Sequence, residues 1–301
     1  MLAPRRTIAS PAYLALGIGS AIVGLLPWII TGMRLPLQNL WATETRPADM
    51  PIALLPFSQY YLAFIVSLML IGSAVAGIVG RGTAPRTPRT ALPALIGGVL
   101  LVQVAAIVQS AATVAAGLGH RSAATGYLLA IVGGTVVAIL LGIGILALIA
   151  RAPKPGALVA LSIAAVAFAS WFSGLAFPIG TVVSASDYSE VMSVVIRISP
   201  AILIGAAIAW CGIGSAGRVV AAIGGLVILW IGPTLVTAVS SAAGTRVLAP
   251  YPAEMLDYGV QVFRSAIGMP DLWASNLALA LGVAVVGLVG RRTMARRAVT
   301  A

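Results

Sequence analysis

Charge is what this sequence has least of: 8% of its 301 residues are charged, against about 25% in ordinary soluble chains. With 60% hydrophobic residues, that deficit excludes a water-facing globular domain. A single cysteine, Cys211, excludes an internal disulfide framework and any multi-cysteine metal site; its surroundings suit a small apolar residue in a helix. The single histidine, His120, stands in "GLGHRSAATG" with no second ligand at metal-binding spacing, so neither a metal nor a cofactor is expected. Also missing are the Walker lysine motif, HExxH and Gly-x-Ser-x-Gly, which leaves nucleotide hydrolysis, zinc proteolysis and serine hydrolysis without a motif. If ATP drives this protein, a separate ATPase subunit binds it.

What is there in abundance is uninterrupted apolar sequence. A helix needs about 20 such residues to cross a hydrocarbon core about 30 Å thick. Eight runs qualify, near 11–32, 59–80, 92–117, 127–150, 157–177, 193–214, 219–240 and 272–290. The sixth and seventh are separated only by "CGIGSAGR". The first follows "MLAPRR" and is longer than a signal-peptide core, so it reads as an uncleaved anchor. The expected fold is an all-α polytopic membrane helix bundle, one integral membrane domain over 1–301.

Charge placement tests the count of eight independently. Eight spans put both termini and three loops on one side, which receives Arg5, Arg6, Arg81, Arg86, Arg89, Arg151, Lys154, Arg218, Arg291, Arg292, Arg296 and Arg297. That is 12 of the 18 basic residues and none of the acids. The opposite side takes all seven acids together with Arg34, Arg46, Arg121, Arg246 and Arg264. Basic loops stay cytoplasmic during insertion, so both termini are expected in the cytoplasm and the protein in the cytoplasmic (inner) membrane of a bacterium. The net charge of +11 is then a signal of topology and of contact with anionic cytoplasmic-leaflet lipids. It does not indicate nucleic acid, since the basic residues are scattered over membrane-flanking loops.

Small residues every fourth position allow helices to approach closely in lipid. Gly72, Ala76 and Gly80 form one such ladder, Ala130, Gly134, Ala138 and Gly142 a second, and Ala274, Ala278 and Gly282 a third. Pro200 and Pro233 fall inside the sixth and seventh spans and are expected to kink them.

The external face carries the unusual sequence. "MRLPLQNLWATETRPADMPIALLPFS" holds four prolines and reads as an extended, folded-back loop. "AEMLDYGVQVFRSAIGM" at 253–269 places Leu256, Val260, Phe263 and Ile267 on one helical face, opposite Glu254, Asp257, Gln261 and Arg264. It reads as an interfacial helix docking by that apolar face, with Asp271 capping the last span. Leu-Trp-Ala recurs at 40–42 and 272–274, which interfacial tryptophan enrichment explains as well as a repeat does.

Candidate site residues are few, because no Asp, Glu or His falls in the middle of a span. Gln103 is the central polar residue of the third span, and either bonds a neighbouring helix or lines a solute path. Arg197 lies in "VVIRISP", seven positions after Glu190, roughly 10 Å along one helical face. It either reaches back to Glu190 or Asp187, or faces an external vestibule and attracts an anionic group. Glu44 and Asp49 form an alternative external acidic site; their setting loosely resembles that of membrane glycosyltransferases acting on lipid-linked substrates. The expected function is a permease, or the membrane subunit of a transporter, for an apolar or amphipathic solute. The alternatives are a noncatalytic assembly or scaffold subunit of an envelope complex and a membrane enzyme acting on a lipid-linked substrate.

Overall fold

An apolar chain in lipid satisfies its backbone polar groups by closing them into helices. A computed structural model of the chain describes residues 10–38, 40–83, 90–119, 122–179, 186–245, 247–248 and 250–300, with 122, 272 and 295–300 as backbone only. Nine α-helices occur among them, and eight of the nine are long and apolar enough to cross a membrane. In chain order α1 is Ser10–Ile29, α2 Leu62–Thr83, α3 Ala91–Gly117 and α4 Ser122–Arg151. Then follow α5 Lys154–Ala176, α6 Asp187–Cys211, α7 Ala216–Gly244, the shorter α8 Pro252–Ile267, and α9 Pro270–Thr300. The chain is a polytopic membrane helix bundle. His120 and the cations Arg5, Arg6, Arg86, Arg89, Arg121 and Arg246 lie outside the described residues.

Two compact units form. The first is built from 1–151 and 170–183, the second from 152–169 and 184–301.

Glycine sets the helix spacing of the first unit. A Cβ on Gly24 would lie 2.5 Å from the Leu68 carbonyl oxygen and 2.7 Å from the Gly72 backbone, so α1 and α2 cross in backbone contact. Gly17 and Gly98 do the same for α1 and α3. Gly142 of the second ladder packs on Ser73 and Ala138 is buried, whereas Gly134 faces open space. Polar links reinforce the crossings: the Trp171 indole N–H donates to the Gly24 carbonyl at 2.8 Å, and the Ser10 and Thr90 hydroxyls meet at 2.6 Å. Arg81 of α2 donates to the Ile149 carbonyl near the end of α4, supplying a donor to a helix terminus that lacks one.

The proline-rich loop folds back over this unit as an ordered cap. Its segment 50–57 is an extended strip whose Met50, Ala53, Leu55 and Phe57 are buried. Leu35 N–H donates to the Pro51 carbonyl and Ala53 N–H to that of Met33, both at 2.9 Å, so the strip pairs with the start of the same loop. On its other side α3 acts as the strip's partner. Gln109 Oε1 accepts from Leu54 N–H at 2.8 Å, Gln109 Nε2 donates to Ile52 O at 3.0 Å, and Ser110 Oγ accepts from Leu55 N–H at 2.8 Å. Gln38 fastens the cap again, donating to Phe57 O at 2.7 Å and accepting from the Tyr127 hydroxyl at 2.7 Å. The Trp41 ring lies on Gly117, where any side chain would collide with it.

In the second unit α6 and α9 pack through Gly205, whose Cβ would lie 2.6 Å from Ala280 O, with Ala201, Ile204, Ala280 and Ala284 buried around it. The third small-residue ladder behaves differently from expectation: Ala274, Ala278 and Gly282 are exposed, and nothing stands within 4 Å of a Cβ on Gly282. Packing runs instead through the neighbouring face of α9. Both α6 and α7 continue unbroken through Pro200 and Pro233. Pro200 lacks the N–H that Ile196 O would accept, and the Ser199 hydroxyl donates to that carbonyl at 2.9 Å instead. The turn after α6 sits at Gly212, with φ +77, inside "CGIGSAGR" and slightly before the expected end of the sixth span near 214.

Two expectations at the acidic end are corrected. α8 forms, but Leu256 is 68% and Val260 38% exposed, so they are not its docking face. The half-buried side runs through Met255, Gly259, Val262, Phe263, Ala266 and Ile267, so Phe263 and Ile267 of the expected face keep to it, and a Cβ on Gly259 would lie 3.2 Å from Ala242 Cβ of α7. Asp271 lies within the first turn of α9, which begins at Pro270, rather than capping it. It still places negative charge at the helix's positive end.

Candidate functional site

The residues singled out by sequence are distributed over both units. Gln103 is 1% exposed in the first, where its Nε2 donates to Met69 O at 2.9 Å and contacts Ser73 Oγ at 3.4 Å. That ties α3 to α2. Its Oε1 is buried without a partner among the described residues. Asp187 and Glu190 stand exposed in the first turn of α6, behind a capping box made by Ser186 and Ser189. Both carboxylates complement the dipole there. Arg197 is exposed on α6, and no ion pair joins it to either acid. Glu44 and Asp49 are exposed on the loop, and no cluster of three metal-ligating side chains occurs among the described residues.

In the second unit a groove of about 990 Å³ runs along α6 and α9 and reaches the first residue of α5. Small side chains make it. Ala206 and Ala209 line it from α6, and Ala278, Leu279, Gly282, Val283, Val286 and Gly287 line it from α9. Ala206, Ala278, Gly282 and Val286 are exposed, so the groove opens sideways, toward the acyl chains in a membrane.

One end is cationic. Lys154, half-buried at the start of α5, places its ammonium 5.7 Å from the centre of the Trp210 ring. Arg291, from α9, donates to the carbonyls of Ala209 and Trp210, the latter at 2.7 Å, and thereby caps the end of α6. Arg218 approaches the same turn: its NH1 and that of Arg291 each lie 3.9 Å from the place a Cβ on Gly212 would take. The groove's lining includes no carboxylate. An apolar channel ending in two fixed cations and an indole can receive a molecule with an apolar body and an anionic head.

No protein-family model, curated protein or solved structure matches the chain. The assignment of function therefore rests on the chain's own chemistry. Sequence reasoning treats Lys154 and Arg291 as orientation charges and misses them as site residues. The signal that could have found them is the third ladder, small residues at 274, 278 and 282 on a span that runs on to Arg291 and Arg292 with no acid after Asp271.

Proposed function

We propose that the chain is a permease, or the membrane subunit of a transporter, for an apolar or amphipathic solute. It would lie in the cytoplasmic membrane with both termini in the cytoplasm, on the strength of the charge segregation between its loops. The observation that carries the transport reading is the lateral groove of about 990 Å³, at the upper end of the range typical of small-molecule sites. An apolar solute dissolved in the bilayer reaches such a groove without crossing water.

Flux of a fluorescent fatty acid across proteoliposomes tests this. The wild-type protein is expected to accelerate it over protein-free liposomes, and Gly282→Leu, which fills the groove, to abolish the gain. Gly133→Leu is the control, because Gly133 also faces open space but lies on α4 of the first unit. Equal flux from wild type, Gly282→Leu and empty liposomes overturns the reading.

A second reading, a noncatalytic assembly subunit, draws on the exposed stripe Ala274, Ala278 and Gly282, since another membrane helix can pack closely on such a surface. Co-purification from gently solubilised membranes separates the two. A stoichiometric membrane partner lost in Gly282→Leu supports assembly.

A further inference from the structure

We propose that the groove of α6 and α9 holds an anionic phospholipid from the leaflet on its basic side, with the phosphate at Lys154 and Arg291 and an acyl chain along Ala206, Ala278 and Gly282. This deepens the transport reading by naming the class of amphiphile. Three observations select that ligand. The walls are apolar and open sideways, so a chain already in the bilayer enters without desolvation of either surface. The cations are confined to one end, which fixes the orientation of the head. No carboxylate lines the groove to neutralise them.

The geometry also says how the two cations divide the work. Arg291 is held in place by the Ala209 and Trp210 carbonyls through NH1, which leaves its remaining N–H donors available to a phosphate oxygen. Lys154 rests over Trp210 and supplies a point charge. The indole is itself a residue that favours the headgroup level, so the groove's charged end coincides with the depth at which a phosphate sits.

The test uses the full-length protein in phosphatidylcholine vesicles containing a minor fraction of photoactivatable phosphatidylglycerol, with photoactivatable phosphatidylcholine in parallel. Crosslinks to the phosphatidylglycerol probe are expected to exceed those to the phosphatidylcholine probe and to map to 206–210 and 278–287. Lys154→Gln is expected to reduce the phosphatidylglycerol crosslink about fivefold, the factor corresponding to about 1 kcal/mol per basic residue near an anionic surface. Lys154→Arg is expected to restore it. Gly282→Leu should block crosslinking with both probes at 278–287. Soluble glycerol phosphate should not compete, since the acyl chain supplies most of the contact; competition would mean that the headgroup alone is bound and would overturn the lipid proposal.

Equal labelling by the two probes, or labelling spread evenly around α9, likewise overturns it. So does a chain-to-chain crosslink at Gly282 that excludes the lipid, because a second copy would then fill the groove. Headgroup preference without flux leaves the lipid site standing and removes transport. Flux that is indifferent to Lys154→Gln and to headgroup leaves transport standing and removes the anionic lipid.

Discussion

Replacing Gly24 by alanine puts one methyl group where α1 and α2 already touch through their backbones. The new Cβ would lie 2.5 Å from Leu68 O and 2.7 Å from the N and Cα of Gly72, against the 3.4 Å at which ordinary contact begins. The shortfall is about 0.9 Å, and every atom in the way is backbone, so no side-chain rotation relieves it. The helices must separate, which overpacking measurements place at about 1–3 kcal/mol. In a membrane the usual gain of alanine over glycine does not offset this, because the dissociated helices remain helical in lipid.

Gly72→Ala grades the effect. Its Cβ would meet Ala21 Cα at 3.1 Å and Ser20 O at 3.2 Å, a shortfall of a few tenths of an ångström, so a loss below about 1 kcal/mol is expected. Gly19→Ala, with nothing within 4 Å, should stay within about 0.5 kcal/mol of wild type. Unfolding in mixed micelles titrated with SDS measures all three. Gly24→Ala should also couple to Trp171→Phe in a double-mutant cycle, since the Gly24 carbonyl accepts the indole N–H at 2.8 Å. Equal stability of Gly24→Ala and Gly19→Ala would refute the reasoning from backbone contact.

Ser110→Ala leaves the buried Leu55 N–H without its acceptor, at a cost of about 1–3 kcal/mol; amide exchange over 50–57 should accelerate while the α6–α9 amides stay protected. Gly259→Leu should release α8 from α7, since a Cβ there already stands 3.2 Å from Ala242 Cβ, and protease cleavage within 253–269 should rise. Phe263→Asp should act in the same direction and Gln261→Asp should not, because Phe263 is half-buried and Gln261 exposed. Arg197→Lys and Arg197→Gln should both fold if the exposed guanidinium serves an anion-attracting vestibule, and both should lose anionic-solute flux; full flux in Arg197→Gln removes the vestibule. A reporter fused after Arg89 or at the C-terminus should read cytoplasmic and one within 36–50 external, and an external C-terminus would remove the topology inferred from the loops.

The spans were legible because hydrophobic length is a local property. Even the narrow break between α6 and α7 is written into the chain, where Gly212 takes φ +77 and Ser215 precedes the next helix. The docking side of α8 was not legible for a reason particular to membranes. Apolar residues such as Leu256 and Val260 mark a surface that avoids water, which lipid satisfies as well as protein does, so the hydrophobic face need not be the packed one. The same ambiguity affects Ala274, Ala278 and Gly282, whose spacing suits a helix contact and a groove wall equally. In the sequence Gln109 and Ser110 are no more than polar residues within the third apolar run. Their role as partners of the 52–55 strip depends on a loop more than fifty residues away in sequence, so no local pattern contains it.

The groove is distinguished by a coincidence rather than by openness alone. Gly133 and Gly144 on α4 are as free of neighbours as Gly282, so an unfilled glycine is an ordinary feature of a lipid-facing helix. In the first unit Gly17, Gly24, Gly72 and Gly98 are absorbed by helix crossings, and the polar groups nearby bond across them. Gly282 is absorbed by nothing, yet its helix continues to Arg291, which reaches back to the end of α6 beside Lys154 and Trp210. Capping accounts for one face of Arg291 and stacking for Lys154, but neither requires a wall of small residues leading to them. A ligand with a chain and an anionic head requires both at once, and that joint requirement makes Gly282→Leu and Lys154→Gln informative as a pair: each should leave the fold intact, and each should remove a different half of the same binding event.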